Sequence, residues 1–164
     1  MASTIALRRA TANDLEAYCD LLAEADGLHR RRLPRIFRPV AGPTRSPDHF
    51  LGLLGDPRSA VILAEAEGEP VGCLVITLRD TPTVPIVAPR RVAVVDTLVV
   101  TRAWRRLGIG TALMLEAERW ARAQGATDLE LSVYQFNRGA RAFYRALGYH
   151  TLYHRLIRPL TGED

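Results

Sequence analysis

The alternation of apolar and polar residues in the N-terminal third of the chain predicts a strand followed by helices. Ile5 and Leu7 alternate with polar neighbours as in a short strand, and residues 11–14 provide helix-capping side chains. A helical repeat of apolar residues follows, formed by Leu15, Tyr18, Leu21 and Leu22. Five prolines between residues 27 and 58 allow only short helices there, and the pattern predicts one over Asp48 to Leu54.

Two apolar runs in the middle of the chain indicate neighbouring strands. Ala60 to Ala66 and Val71 to Leu78 flank a Glu-Gly-Glu-Pro sequence that is typical of a turn, so the runs predict an antiparallel hairpin. Residues 79–90 contain three prolines and predict a long loop, which we expect to border a substrate pocket. Val92 to Val100 is a nearly continuous β-branched run, as in a strand buried on both faces.

The second half of the chain continues with alternating helices and strands. A helical repeat from Ile109 to Ala121 is followed by strand-like alternation over residues 128–134 and by a second helical repeat from Ala140 to Leu147. Residues 149–158 alternate again and predict a closing strand. Since no internal repeat or linker interrupts the pattern, we predict one mixed α/β domain over residues 1–164.

Composition and charge exclude several classes of function. All 22 basic residues are arginine, which excludes Schiff-base chemistry and a phosphate-binding Walker lysine. The net charge is +4, but the arginines are scattered apart from Arg30 to Arg32, so we expect no nucleic-acid partner. We also expect no membrane association and a cytoplasmic location, because apolar runs are short and no export pattern is seen. Cys19 and Cys73 are expected to be free thiols.

The segment Arg105-Arg106-Leu107-Gly108-Ile109-Gly110 lies between the β-branched strand and the helix that follows it. A helix N-terminus offers unbonded N–H groups and partial positive charge, and glycine lets an anion approach, so this turn predicts a phosphate site. A turn that needs glycine for its backbone alone is the alternative. A P-loop would need lysine before Thr111, and a Rossmann fingerprint would need a small residue at Leu113, which disfavours both of those motifs.

Two segments resemble motifs of the GNAT superfamily of N-acetyltransferases. Arg105, Gly108 and Gly110 match the pattern Gln/Arg-x-x-Gly-x-Gly/Ala after a strand. Residues 137–149 resemble the pattern Asn-x-x-Ala-x-x-Phe-Tyr-x-x-x-Gly-Phe/Tyr. The resemblance covers residues 60–158 well and the N-terminal strand and helix loosely.

The resemblance implies a fold and a cosubstrate. The fold would be a mixed, mostly antiparallel central sheet flanked by helices and splayed between the strands that end near Val100 and start near Asp128. Acetyl-CoA would lie in that opening, with its pyrophosphate on the glycine turn and its pantetheine arm along the strand end. The residues implied to bind it are Leu98, Val99, Val100, Arg105, Arg106, Leu107, Gly108, Ile109, Gly110, Thr111, Asn137 and Tyr144.

The resemblance also implies the reaction, which is acetyl transfer to a primary amine of a small molecule or peptide by direct attack through a tetrahedral intermediate. Tyr144 would donate a proton to the departing CoA thiolate, with simple packing beside Phe143 as the alternative. Asn137 would cap its helix and hydrogen-bond the pantetheine arm.

The attacking amine must first lose a proton, and Asp96 within the apolar strand is the candidate base. Burial there would raise its pKa, which suits a base. The alternative is a structural carboxylate paired with a neighbouring arginine or with backbone amides. His29 is a second candidate base. His150 and His154 share a strand face without a third ligand, so we expect no metal.

Two other classes of function compete with this one. A non-catalytic module of the same fold that binds acyl-CoA as a sensor is the first, and an arginine-rich nucleic-acid binder is the second. The acceptor pocket is expected to involve residues 27–40, the loop 79–90 and the closing strand, and no residue identifies the acceptor. The sequence leaves a homodimer open.

Overall fold

The computed structural model describes residues 4–161, which form two compact units. The first unit extends to Ser132, and the second begins at Val133. The prediction of one domain over residues 1–164 stays a prediction. The elements in chain order are β1 Ile5–Arg9, α1 Leu15–Arg32, α2 Pro47–Gly55, β2 Ser59–Ala66, β3 Glu69–Asp80, β4 Arg91–Val100, α3 Ile109–Ala123, β5 Asp128–Leu131 and α4 Arg138–Ala146.

The first unit is built on a sheet whose strand order is β1-β2-β3-β4-β5. The first four strands pair antiparallel, and β5 pairs parallel with β4. This confirms the predicted mixed, mostly antiparallel sheet flanked by helices. The hairpin between β2 and β3 is also confirmed, and its turn is shorter than predicted. Glu67 and Gly68 both have positive φ, 55° and 84°, as a two-residue hairpin turn requires.

Helices cover both faces of this sheet. Helices α1 and α2 pack on one face, and α3 packs on the other. The cluster under α1 and α2 contains Tyr18, Cys19, Leu21, Leu22, Phe50, Val61, Leu63, Cys73, Val75 and Val99. Because side chains alternate along a strand, the intervening residues of β2 and β3 face α3. Both cysteines are free and buried, as expected, and burial raises the pKa of the Cys73 thiol to about 12.

The first helix is longer than the sequence pattern indicated. It continues through Gly27 to Arg32, whereas the prolines beyond residue 27 had predicted an earlier end. The first of those prolines is Pro34, which lies outside the helix. Arginine is a good helix former, and positive charge in the last turn interacts favourably with the helix dipole.

The predicted closing strand over residues 149–158 is wrong. No strand is present there, and β5 ends at Leu131 rather than at residue 134. Alternation of apolar and polar residues shows which face a strand would bury, but a strand also needs a hydrogen-bonding neighbour. None of the sheet ladders in the described part of the chain includes residues 149–158.

A buried carboxylate fixes the connection between β1 and α1. The guanidinium of Arg8 donates to both oxygens of Asp14, at 2.8 and 2.7 Å, and the backbone N–H of Thr11 donates to Asp14 at 2.7 Å. Asp14 is 8% exposed. Hydrogen bonds from Arg8 hold the pKa of Asp14 well below its usual range.

We predict that Asp14→Asn lowers the free energy of unfolding at pH 7 by about 1–2 kcal/mol, because Arg8 loses one of its two charged acceptors and keeps only Glu65, at 2.7 Å. A depressed carboxyl pKa stabilises the fold above the unfolded-state pKa, about 3.9, and this contribution is lost as the pH falls below that value. Urea unfolding at pH 7 and pH 3 measures both effects. The exposed Asp48→Asn is the control, and an equal loss in both variants would contradict the prediction.

Candidate active site

The turn between β4 and α3 has the backbone geometry of an anion site. Arg106 and Gly108 both have left-handed backbone, with φ of 66° and 82°. Gly108 is the N-cap of α3, and no side chain caps the helix at that position. The first N–H groups of a helix have no acceptor within it, so here they are available to a ligand. The exposed turn therefore fits a phosphate group.

Both explanations of Gly108 are compatible with its geometry. The left-handed φ alone favours glycine, which supports the backbone explanation. Apart from its neighbours in the chain, a Cβ added at Gly108 would meet no atom within 4 Å, so the space beside this residue is open. The backbone requirement and the anion site thus occur at the same residue.

Glu24 of α1 holds the arginines of this turn. Its carboxylate accepts a hydrogen bond from the guanidinium of Arg105 and another, at 3.4 Å, from the backbone N–H of Arg102. The Nε of Arg105 also donates to the carbonyl oxygen of Val100 at 2.9 Å. These contacts connect α1, the end of β4 and the turn. Glu24 was not among the predicted site residues, because nothing in its local pattern indicates a partner about eighty residues away.

Gly72 of β3 allows α3 to approach the sheet closely. A Cβ at this position would lie 3.2 Å from the carbonyl oxygen of Val99 and 3.3 Å from a methyl group of Leu113. The contact sets the position of the first turns of α3, and with it the position of the glycine turn. Gly72 was not among the predicted site residues either. A lone glycine inside a strand pattern was the signal that could have found it.

The end of β4 has a free edge on the side of β5. Strand β5 pairs only with residues 92–95 of β4, so within residues 4–161 no strand pairs with residues 96–100 on that side. This confirms the predicted splay between β4 and β5. Leu98, Val99 and Val100 pair with β3 on their other side. Their outer edge can therefore accept an extended, amide-containing chain.

Asp96 does not have the burial that the sequence predicted. The register of β4 against β3 shifts at this residue, which forms a bulge, and the Asp96 side chain is 33% exposed. It accepts hydrogen bonds from Thr77 Oγ1 and from the Arg79 guanidinium, each at 2.7 Å. The expectation of a desolvated carboxylate was wrong, since a bulge turns the side chain outward. Pairing with an arginine, the stated alternative, is observed.

The second unit contains the other predicted site residues. Asn137 caps α4, because its side-chain oxygen accepts from the backbone N–H of Ala140 at 3.2 Å. Tyr144 lies on α4 with its ring 5.2 Å from that of Phe143 and 5.9 Å from that of Tyr149. Burial raises the pKa of Tyr144 to about 12, so its phenol stays protonated at neutral pH. The contacts of Asn137 and Tyr144 with a cosubstrate stay predictions.

The histidines form no recognisable centre. The ring of His29 lies 5.3 Å from the ring of Phe37 at the end of α1. Over residues 4–161, no group of three or more His, Cys, Asp or Glu side chains is arranged to hold a metal ion. None of the helices in the same range has the length and apolar character needed to cross a membrane.

Sequence comparison identifies the family of the chain. Residues 28–149 match the model of the acetyltransferase (GNAT) family, and the chain belongs to that family. An uncharacterised N-acetyltransferase of Methanocaldococcus jannaschii is 28% identical over 146 residues, which are 89% of this chain and 61% of the relative. An uncharacterised N-acetyltransferase of Bacillus subtilis is 30% identical over 116 residues, which are 70% of this chain and 75% of the relative.

Solved structures share the fold. A mutant form of the BH1408 protein from Bacillus halodurans matches with a TM-score of 0.90 and 29% identity, covering 95% of this chain and 99% of the other. An aminoglycoside acetyltransferase from a soil metagenomic sample, in complex with sisomicin, matches with a TM-score of 0.71 at 18% identity over 96% of this chain and 97% of its own. An aminoglycoside N-acetyltransferase in complex with CoA matches with a TM-score of 0.68 and 19% identity, covering 99% of this chain and 97% of the other.

We predict that Gly72→Ala lowers the melting temperature by about 3–10 °C, because a methyl group would press on the Val99 carbonyl and on Leu113. The control is Gly52→Ala in α2, where a Cβ meets nothing within 4 Å. That control should hold or slightly raise the melting temperature, since alanine is the better helix former. Calorimetry compares the two, and an unchanged transition for Gly72→Ala would contradict the close packing.

Proposed function

We propose that the chain is an N-acetyltransferase that moves an acetyl group from acetyl-CoA to a primary amine of a small molecule or peptide. The observation that carries the proposal is the left-handed turn from Arg106 to Gly108, which opens the N-terminus of α3 beside the free edge of β4. Membership of the GNAT family supports the reaction class. A structural neighbour in complex with CoA supports the donor. The chain spans 61% of the length of the M. jannaschii relative.

The donor pyrophosphate would bind the backbone N–H groups of residues 105–111. The turn favours a polyanion because helix N-termini carry partial positive charge and the exposed Arg102 and Arg106 lie close to it in the chain, while Arg105 is paired with Glu24. In this proposal, Gly108 and Gly110 provide close backbone approach. Ile109 is buried, so it contributes its N–H group rather than its side chain.

The pantetheine arm would add to the free edge of β4 at Leu98, Val99 and Val100. Its amide groups match the backbone donors and acceptors that a missing strand would otherwise satisfy. A backbone N–H there is also suited to polarise the thioester carbonyl, where negative charge develops during attack. Asn137 would hydrogen-bond the same arm in addition to capping α4.

The protonated amine must lose one proton before it attacks and a second as the amide forms, and the departing sulfur must gain one proton. The amine nitrogen attacks the thioester carbon, the new C–N bond forms, and the C–S bond breaks as CoA departs. Tyr144 would protonate the departing thiolate, and its raised pKa keeps that proton available. Asp96 is proposed as the base, acting through water. Hydrogen bonds from Thr77 and Arg79 orient the carboxylate, and the bulge leaves it partly exposed.

Two measurements test the proposal. Titration calorimetry with acetyl-CoA tests donor binding, and release of free thiol on addition of primary amines tests transfer. Binding with thiol release for at least one amine is the expected result. Binding without release for any amine would instead support the sensor module, and failure to bind acetyl-CoA would refute both.

The two buried free cysteines are also consistent with a cytoplasmic location, which we include in the proposal.

We predict that Tyr144→Phe reduces turnover by about 100-fold with little change in acetyl-CoA affinity, because only proton donation is lost. Tyr153→Phe, at a position that is 70% exposed, is the control and should keep full turnover. Since the pKa of Tyr144 is about 12, the wild-type rate should show no loss from tyrosine ionisation below about pH 10. Unchanged turnover in Tyr144→Phe would show that Tyr144 is not the general acid.

We predict that Gly108→Val weakens acetyl-CoA binding by more than tenfold, because a β-branched residue disfavours φ near 82° and the turn would rearrange. The matched control is Gly68→Val. Gly68 has φ of 84° and open space around its Cβ, but it lies in the β2-β3 hairpin. Calorimetry with acetyl-CoA should show near-normal affinity for the control, and equal loss in both variants would refute the role of the turn.

A further inference from the structure

A run of positively charged residues covers the end of α1 and the segment that follows it. Residues 27–46, here called the arginine segment, contain six arginines and no aspartate or glutamate. Five of them are exposed: Arg30, Arg31, Arg32, Arg35 and Arg38. Charged surfaces of small proteins usually intersperse both signs, so a segment with one sign favours a ligand of the opposite sign.

The arginine segment is folded and fixed to α1 at both ends. The backbone N–H of Leu33 donates to the His29 carbonyl at 2.8 Å, and that of Phe37 donates to the Leu33 carbonyl at 2.9 Å. At the far end, Arg45 forms an ion pair with Asp26 of α1 at 3.1 Å. The exposed arginines are therefore presented on a structured surface, which lowers the entropy cost of binding.

The contacts of Glu24 show where this surface lies. Glu24 accepts hydrogen bonds from Arg105 and from the N–H of Arg102, and Arg31 follows seven residues later on the same face of the same helix. At a rise of 1.5 Å per residue, that separation is about 10 Å along the axis. Helix α1 also packs over Val99 at the free end of β4. The helical start of the arginine segment thus lies about two turns from the residue that contacts the proposed donor site, on the face of the sheet that α1 covers.

We propose that the arginine segment binds the acceptor and selects amines that also carry carboxylate or phosphate groups. This inference rests on the proposed acetyl transfer, which by itself requires only an amine. Arginine pairs with both kinds of anion through two parallel hydrogen bonds. A polycationic acceptor such as an aminoglycoside would be repelled by the same surface. The acceptor class therefore differs from that of the aminoglycoside enzymes that share the fold.

The first test compares acceptors that differ only in charge. Thiol release is measured with phosphoethanolamine against ethanolamine, and with a peptide of acidic N-terminal sequence against a matched basic peptide, alongside the aminoglycoside sisomicin. We expect kcat/KM to be at least about tenfold higher for the anionic member of at least one pair. That advantage should shrink as salt is raised, because exposed charges are screened. If the ethanolamine pair shows this advantage, the anionic acceptor is a small molecule. If the peptide pair shows it, the acceptor is a peptide.

The second test uses Arg30→Gln/Arg38→Gln, with Arg119→Gln/Arg122→Gln on the exposed side of α3 as a control of equal charge change. We expect the first variant to raise the KM for the anionic acceptor about fivefold. Its kcat, its acetyl-CoA affinity and its KM for the neutral acceptor should stay unchanged. The control should leave all four quantities as in the unmodified chain, and circular dichroism should show that both variants fold.

Three results would overturn the inference. Transfer that favours neutral or cationic amines would refute anion selection while leaving the proposed acetyl transfer intact. Equal effects of the two double variants would show a general charge effect rather than a site. Tight binding of a DNA duplex that is lost in Arg30→Gln/Arg38→Gln, with no change in acceptor KM, would assign the segment to nucleic acid. Failure to acetylate any amine would refute the proposed transfer itself.

Discussion

The candidate site depends on where β4 loses its parallel neighbour. Strand β5 pairs with β4 only as far as Val95, so the last residues of β4 keep hydrogen-bonding groups that no described strand satisfies. The chain turns into α3 immediately beyond this edge, and Gly72 lets α3 pack closely enough to fix the turn. One free strand edge and one open helix end therefore meet at the same place. Either feature alone would be an ordinary element terminus.

Much of this arrangement was predictable because it depends on local sequence. The hairpin, the β-branched strand and the helix after the glycine turn follow from periodicity and from glycine, and all three are confirmed. Long-range pairing was not predictable in the same way. The alternation over residues 149–158 gave a false strand, and the exposure of Asp96 follows from its register against β3. Glu24 and Gly72 were missed because their roles arise only when distant segments pack together.

The two halves of an acetyltransferase site differ in how much the fold constrains them. A donor site made of backbone N–H groups needs a turn and a helix end, and many side chains can surround it. Acceptor recognition depends on side chains, so a shared fold carries little information about it. The likeness to enzymes named for aminoglycosides is a likeness of fold at 18% and 19% identity. Recognition by the arginine segment would likewise depend on the side chains of this sequence.

The bulge at Asp96 has an effect on the sheet that is independent of its carboxylate. Before the bulge, Val95 lies opposite Ile76, and after it Val99 lies opposite Cys73. Residues opposite each other share a face, so the extra residue reverses which alternate positions of β4 point toward α1. Without it, Val99 would turn away from the cluster under α1, and Leu98 and Val100 would turn toward it instead. The extra residue at Asp96 therefore determines which residues at the end of β4 face α1 and which face the opposite side of the sheet.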